Sequence, residues 1–96
     1  MTSSKEILQQ ALVLHQASRL GEAEVLYRQV LVADPGQPDA LHRMGVLAYQ
    51  QDRFEEAIGL LEQAVAQRDG DADFHINLAE AYRAGGRLVD AVNNFG

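Results

Sequence analysis

The sequence predicts an all-α protein made of tandem helix–turn–helix units, and two observations carry this prediction. The first is an internal repeat: a shift of 34 residues superimposes segments 19–23 (RLGEA), 53–57 (RFEEA) and 87–91 (RLVDA). The second is the recurrence of apolar residues at helical spacing between short breaks rich in Gly, Pro, Asp and Ser. We therefore expect one domain over 1–96, with repeats at about 4–37, 38–71 and 72–96, the last of them incomplete.

Capping and breaking residues place the ends of the helices. Ser3 stands three residues before Glu6, which is the spacing of a capping box. Pro35 cannot continue a helix, whereas Pro38 suits the first turn of the next one. Asp71 is expected to cap the fifth helix. The predicted helices run from the cap at Ser3 to a break at 17–19, from Leu20 or Gly21 to Ala33, and over 38–50, 54–67, 72–84 and 88–95.

The repeated positions also predict how the helices pack. Small side chains allow two helices to approach to the short end of the usual interaxial range, and large ones fill the remaining space. The small positions are Ala11, Gly45, Ala79, Ala23, Ala57 and Ala91. The principal core residues are expected to be Tyr27, Leu61 and Phe95, with Leu20, Phe54 and Leu88.

These small and large positions, with Asp34 and Pro35 closing the first unit, resemble the tetratricopeptide repeat, whose unit is a helix–turn–helix of about 34 residues. The resemblance covers nearly the whole chain. Leu41 and His75 depart from it, because the family pattern favours Trp there. The resemblance implies a right-handed α-solenoid of about 2.75 repeats, in which the first helix of each repeat lines a concave groove.

Composition narrows the classes of partner. Eight Lys and Arg residues stand against fourteen Asp and Glu, a formal net charge of −6. Because a nucleic-acid surface needs a basic stripe, no nucleic-acid partner is expected. No window approaches the roughly 18 apolar residues of a spanning helix, and the N-terminus lacks the pattern of a signal peptide. We therefore expect no membrane partner and a cytoplasmic location. The absence of cysteine excludes disulfides and thiolate metal sites.

Helical spacing, together with the resemblance, predicts a groove that binds an extended peptide or a helix. An alternative interpretation makes part of this set an ordinary solvated helix face, with Leu8, Leu12 and Val46 packing against neighbours. The candidate groove residues are Leu8, Gln9, Leu12, His15, His42, Arg43, Val46, Tyr49, Ile76, Asn77, Glu80 and Arg83, flanked by Lys5, Asp39 and Asp73.

No catalytic or metal-binding pattern stands out in the sequence. The three histidines, His15, His42 and His75, fall at different places within their repeats, so we expect packing or surface roles and no metal site. Glu55 and Glu56 are adjacent and point to different faces of a helix. We therefore expect neither a cofactor nor enzymatic activity.

Arginines recur at the turns between paired helices. Either they form a basic row for an acidic partner, or each pairs with a nearby carboxylate, which we favour because such exposed pairs are common. The expected pairs are Arg19 with Glu22, Arg53 with Glu56, and Arg87 with Asp90.

The resemblance also bears on the partner. One subfamily clamps the C-terminal carboxylate of chaperones, but Leu8 and Leu12 stand near the places of its Lys and Asn, so this mode is disfavoured. Asn77 resembles the groove asparagines of O-linked N-acetylglucosamine transferases. Segment 23–65 is similar to the N-terminal repeats of bacterial proteins related to those transferases.

Three functions follow as hypotheses. The first is a non-catalytic scaffold that binds a protein or peptide in the groove. The second is self-association, giving a homo-oligomer, through an open C-terminal edge. The third is the substrate-recruiting arm of a larger enzyme, such as a glycosyltransferase. The edge residues expected to be partly exposed are Tyr82, Leu88, Val92 and Phe95.

Overall fold

A computed structural model describes residues 3–86 of the chain, which form five α-helices and no strand. The predicted helices are confirmed within this range. The sixth, predicted over 88–95, lies outside the described residues. The helices are α1 (Ser4–Gln16), α2 (Leu20–Ala33), α3 (Pro38–Gln50), α4 (Phe54–Gln67) and α5 (Ala72–Ala84).

Side-chain caps begin the first helix of each pair. The Ser3 hydroxyl accepts a hydrogen bond from the Glu6 amide at 3.2 Å, as the sequence predicted. The Gln37 side chain accepts from the Ala40 amide at 2.7 Å, and Asp71 caps α5. By contrast, α2 and α4 follow tight turns and have no side-chain cap. The side-chain caps therefore mark the start of each helical hairpin, where they satisfy amide groups of the first turn.

The turns inside the hairpins share a left-handed residue. Ser18, Asp52 and Gly86 have φ values of 63°, 61° and 83°, and they are spaced by the repeat period. Each lies just after the last turn of a first helix, where a left-handed residue reverses the chain. Only the third of them is a glycine, so the first two turns carry the cost of a side chain in this conformation.

Close helix packing within the second hairpin depends on Gly45. A Cβ atom at this position would lie 2.7 Å from Leu61 Cγ, far inside van der Waals contact. Leu61 is fully buried beside it. The predicted pairing of a small residue on the first helix with a large one on the second is thus observed.

The core lies within and between the hairpins. Tyr27 and Leu61 are completely buried, as predicted, whereas Leu20 and Phe54 are half-buried. Phe95 and Leu88 lie outside the described residues. The sequence prediction missed three other large side chains that are almost fully buried. These are Leu47, Ile58 and Val30.

None of the helices within residues 3–86 combines the length and apolar character needed to cross a membrane.

Candidate functional site

Two adjoining clefts lie between α1 and α3. The larger, here called the Leu8 cleft, has a volume of about 620 Å³. It is lined by Ser4, Lys5, Leu8, Gln9, Leu12, Val30, Asp34, Gln37, Asp39 and Arg43. The smaller, the His15 cleft, has a volume of about 310 Å³. It is lined by Leu12, His15, Gln16, Ser18, Arg43, Val46 and Gln50. Leu12 and Arg43 line both clefts, so the two form one continuous surface.

Among the charged side chains that line these clefts, some have an ion-pair partner in the described part of the chain and others do not. Asp39, in the Leu8 cleft, accepts a hydrogen bond from Arg68 at 3.1 Å. No carboxylate among residues 3–86 lies within ion-pair distance of Lys5 or Arg43, whereas four other arginines are paired. Arg43 is the only formally charged residue of the His15 cleft. The two unpaired cations therefore face one continuous surface.

A chain of hydrogen bonds fixes the wall of the His15 cleft. His15 Nε2 donates to Gln50 Oε1 at 2.6 Å, and the Tyr27 hydroxyl donates to His15 Nδ1 at 2.8 Å. Burial raises the pKa of Tyr27 to about 12, although the positive charge of Arg43 opposes this shift. Tyr27 therefore remains a neutral donor at physiological pH, and α1, α2 and α3 are tied together beside the cleft.

The junction between α3 and α5 is built differently. His42 is 7% exposed and stacks on Phe74, with ring centroids 4.4 Å apart. Its Nε2 donates to Asn77 Oδ1 at 2.6 Å. Burial lowers the pKa of His42, while the hydrogen bond to Asn77 opposes that shift. A buried neutral imidazole thus closes this junction.

Some of the predicted groove residues line the two clefts, and the others do not. Those that line the two clefts are Leu8, Gln9, Leu12, His15, Arg43 and Val46. His42 and Asn77 instead bind each other, and Tyr49 is half-buried with its ring edge-to-face on Phe54 at 5.6 Å. The other predicted residues lie on α5 outside both clefts: Ile76 and Arg83 are exposed, and Glu80 is half-buried.

One expectation about the C-terminal edge is wrong for the residue that can be placed. Tyr82 was expected to be partly exposed, but only 7% of its surface is exposed. It packs in a cluster with Leu78 and Ile58, and its hydroxyl donates to Glu62 at 2.6 Å. The aromatic ring of Tyr82 can be buried against the preceding hairpin, because its one polar atom, the hydroxyl oxygen, has a carboxylate partner in Glu62. Leu88, Val92 and Phe95 lie outside the described residues.

Sequence reasoning missed Gln50 as a cleft residue. Its signal was available: Gln50 follows His15 by 35 residues, and Asn77 follows His42 by the same distance. A spacing of one period plus one residue brings side chains of successive first helices together. Polar pairs at that spacing therefore indicate contacts between hairpins.

The two turn arginines within the described residues form the expected ion pairs, and Arg53 forms an additional one. Arg19 pairs with Glu22 and Arg53 with Glu56. Arg53 also reaches Glu24 of α2 at 2.6 Å, an inter-hairpin contact that the sequence did not reveal. Hydrogen bonds from Arg28 and Arg53 lower the pKa of Glu24 against an opposing effect of burial. Arg87 lies outside the described range.

Within residues 3–86, no three His, Cys, Asp or Glu side chains are grouped closely enough to hold a metal ion.

Two family models match the chain, both described as tetratricopeptide repeat, over residues 42–95 and 14–62. Each covers more than half of the sequence. The chain belongs to the tetratricopeptide repeat (TPR) family. The all-α repeat array inferred from the 34-residue period is thereby confirmed, as is the resemblance carried by the small and large positions. A comparison with curated protein sequences found no match.

Solved TPR-like structures superimpose on nearly the whole chain. MamA of strain AMB-1 is 27% identical, with a TM-score of 0.87 over 97% of this chain and 51% of MamA. A variant of the Thermobaculum terrenum O-GlcNAc transferase is 27% identical, with a TM-score of 0.91 over 98% of this chain and 19% of that chain. This chain therefore spans about half of MamA and a much smaller part of the transferase.

The Yersinia enterocolitica type III secretion translocator chaperone SycD shares the fold as well. It is 17% identical, with a TM-score of 0.88 over 97% of this chain and 72% of that chain.

Proposed function

We propose that this chain is a non-catalytic protein-interaction module that binds an extended or helical segment of a partner protein along the Leu8 and His15 clefts. The observation that carries the proposal is the continuity of the clefts through Leu12 and Arg43, with apolar and hydrogen-bonding side chains side by side. Such a mixture is typical of peptide grooves, where apolar contacts supply affinity and polar groups fix the register.

Membership of the TPR family supports this function. The cytoplasmic location expected from the sequence and the exclusion of nucleic-acid and membrane partners remain predictions.

A selected peptide and a matched pair of substitutions test the proposal. A random 12-residue peptide library displayed on phage is selected on the whole chain, and a recovered peptide is labelled for fluorescence anisotropy. Leu12→Gln is expected to weaken binding about tenfold, because an apolar contact is lost at the place where the clefts meet. Val32→Gln is a comparable change from an apolar residue to glutamine, on α2, where the side chain is 84% exposed and outside both clefts, so it is expected to have no effect.

The proposal fails if Leu12→Gln leaves affinity unchanged while the variant keeps the far-UV circular dichroism of the parent. It also fails if the library yields no peptide that binds.

A second candidate, a substrate-recruiting arm of a glycosyltransferase, is favoured by the superposition on the O-GlcNAc transferase. It predicts that the full product of the gene, supplied with a nucleotide-activated N-acetylglucosamine, transfers the sugar to a hydroxyl of peptides that this chain selects and releases the nucleotide. Mass spectrometry of the reacted peptides measures this. If the peptides bind but are not modified, the glycosyltransferase hypothesis fails and the scaffold function stands.

A further inference from the structure

The 34-residue period allows the two inter-hairpin junctions to be compared position by position. Where the α3/α5 junction has His42, Phe74 and Asn77, the α1/α3 junction has Leu8, Ala40 and Arg43. In the first set, a ring stacks on a ring and an amide satisfies the imidazole. In the second set there is no ring at the place of Phe74 and no amide at the place of Asn77. The α1/α3 junction is therefore left without this internal closure.

Arg43 occupies the repeat position that Asn77 occupies in the next unit, and this difference changes the chemistry of the α1/α3 junction. The guanidinium is exposed and has no ion-pair partner among the described residues. Beside it, Leu12 and Val46 offer apolar surface in the same cleft. A cation without an ion-pair partner within residues 3–86 and two half-buried apolar side chains thus stand together in one cleft.

We propose that the His15 cleft recognises a partner segment in which an apolar side chain lies next to an acidic side chain. The apolar group packs on Leu12 and Val46, and the carboxylate pairs with Arg43. This inference rests on the proposed function and names the class of segment that the clefts select.

Charge and size both favour this occupant. Arg43 is the only formally charged lining residue of the His15 cleft, so a basic segment would meet repulsion and an acidic one attraction. A planar guanidinium can donate two parallel hydrogen bonds to one carboxylate, which adds specificity to the charge. A volume of about 310 Å³ is at the small end of ligand sites and suits one or two side chains of a segment.

The neighbouring Leu8 cleft limits where the acidic residue can bind. Asp34 and Asp39 line that cleft, although the carboxylate of Asp39 is already held by Arg68. An acidic side chain is therefore better accommodated in the His15 cleft, which no carboxylate of the described residues lines. Lys5 is a second cation and lines the Leu8 cleft.

The test starts from the peptide library selected on the whole chain, now with removal of peptides that also bind the Arg43→Gln variant. We expect the retained peptides to carry Asp or Glu within three residues of a large apolar side chain. One such peptide is synthesised with an amidated C-terminus, as is its counterpart in which Asp or Glu is replaced by Asn or Gln. Fluorescence anisotropy measures their affinity for each protein.

We expect the acidic peptide to bind the parent about tenfold more tightly than its neutral counterpart, which is the lower end of the range for a charged hydrogen bond. On Arg43→Gln this preference should vanish. Arg19→Gln is the matched control, because it removes the same charge from a turn arginine outside both clefts; there the preference should persist.

Three results would overturn the inference. The retained peptides show no enrichment in Asp or Glu, or Arg19→Gln abolishes the preference as fully as Arg43→Gln, or binding requires a free C-terminal carboxylate instead of the acidic side chain. If Leu12→Gln still weakens binding in these cases, the proposed function stands and only the acidic specificity fails. If Leu12→Gln has no effect, the proposed function fails as well.

Discussion

The α1/α3 and α3/α5 junctions are equivalent contacts between successive hairpins, but their side chains differ. At α3/α5, a buried imidazole stacks on Phe74 and binds Asn77. At α1/α3, Ala40 and Arg43 stand in the corresponding places, and two clefts adjoin. A helical repeat can thus keep its backbone geometry while the side chains decide whether a junction is filled from within or left available to a partner.

Phe74→Ala should have the largest effect on this contrast, since it gives α5 the alanine that α3 has at Ala40. Phe74 is 2% exposed, and truncation of a buried ring typically costs about 3–5 kcal/mol. Urea unfolding monitored by circular dichroism measures the loss. Ile76→Ala on the same helix, where the side chain is 42% exposed, is the control and should cost less than about 1 kcal/mol. Equal losses would mean that the ring does not close the junction.

Should Phe74→Ala fail to fold, Phe74→Leu keeps most of the volume and is expected to cost about 1 kcal/mol. Its unfolding free energy can still be measured against that of the parent.

Gly45→Leu tests whether α3 is held rigidly enough to serve both junctions. Its side chain would collide with Leu61, because even a Cβ atom would lie 2.7 Å from Cγ. Overpacking of this kind typically costs about 1–3 kcal/mol. By contrast, Gly59→Ala meets nothing within 4 Å, so it should stabilise α4 by about 0.5–1 kcal/mol. Thermal unfolding of both variants measures this, and an unchanged melting temperature for Gly45→Leu would refute the packing described here.

Asn77→Ala and Arg43→Ala change corresponding positions of the two junctions. Loss of Asn77 leaves a buried His42 donor without its partner, at a cost of about 1–2 kcal/mol. Loss of Arg43 should change the unfolding free energy by less than about 0.5 kcal/mol, because this exposed side chain has no ion-pair partner within residues 3–86. Urea unfolding compares the pair. A large loss for Arg43→Ala would show that the arginine serves the fold.

The smallest effect concerns the pH dependence of stability. Burial lowers the pKa of His42 in the folded chain, so the unfolded state binds the proton more readily. His42 therefore contributes stability that is complete above its unfolded pKa of about 6.5 and is lost as the pH falls towards the folded pKa. The limiting slope is about 1.4 kcal/mol per pH unit for one proton.

His42→Leu, which introduces the residue found at Leu8, should flatten this dependence between pH 7.5 and 5.5. Urea midpoints across that range measure it, and both proteins retain the other two histidines. Identical pH profiles would contradict the role given to the buried imidazole.

Much of the fold could be predicted from local signals. The caps at Ser3 and Asp71 and the breaks at the prolines set the helix ends, because they act within a few residues of the chain. The pairing of Gly45 with Leu61 followed from the period, since a repeat that superimposes small and large positions must pack them alike. The buried state of Leu47 and Ile58 did not follow, because it depends on the neighbouring hairpin.

The candidate site was predictable in part. Helical spacing identified Leu8, Leu12 and Arg43 as residues of a common face, and they do line the clefts. The same spacing assigned His42 to that face with equal weight, yet its ring is buried against Phe74. The helical period predicts the direction in which a side chain points from its helix axis, but it does not predict which residues of the neighbouring helix that side chain will contact.

The sequence by itself determined the repeat period, the helix ends and the family, because each depends on short-range propensity or on internal repetition. Only the tertiary structure decided which junction is closed and which is open. That outcome depends on the volumes and hydrogen-bonding groups that meet when successive hairpins stack. Ala40 and Phe74 are both buried apolar residues at the same repeat position, and the difference in their size takes effect only across the interface between hairpins.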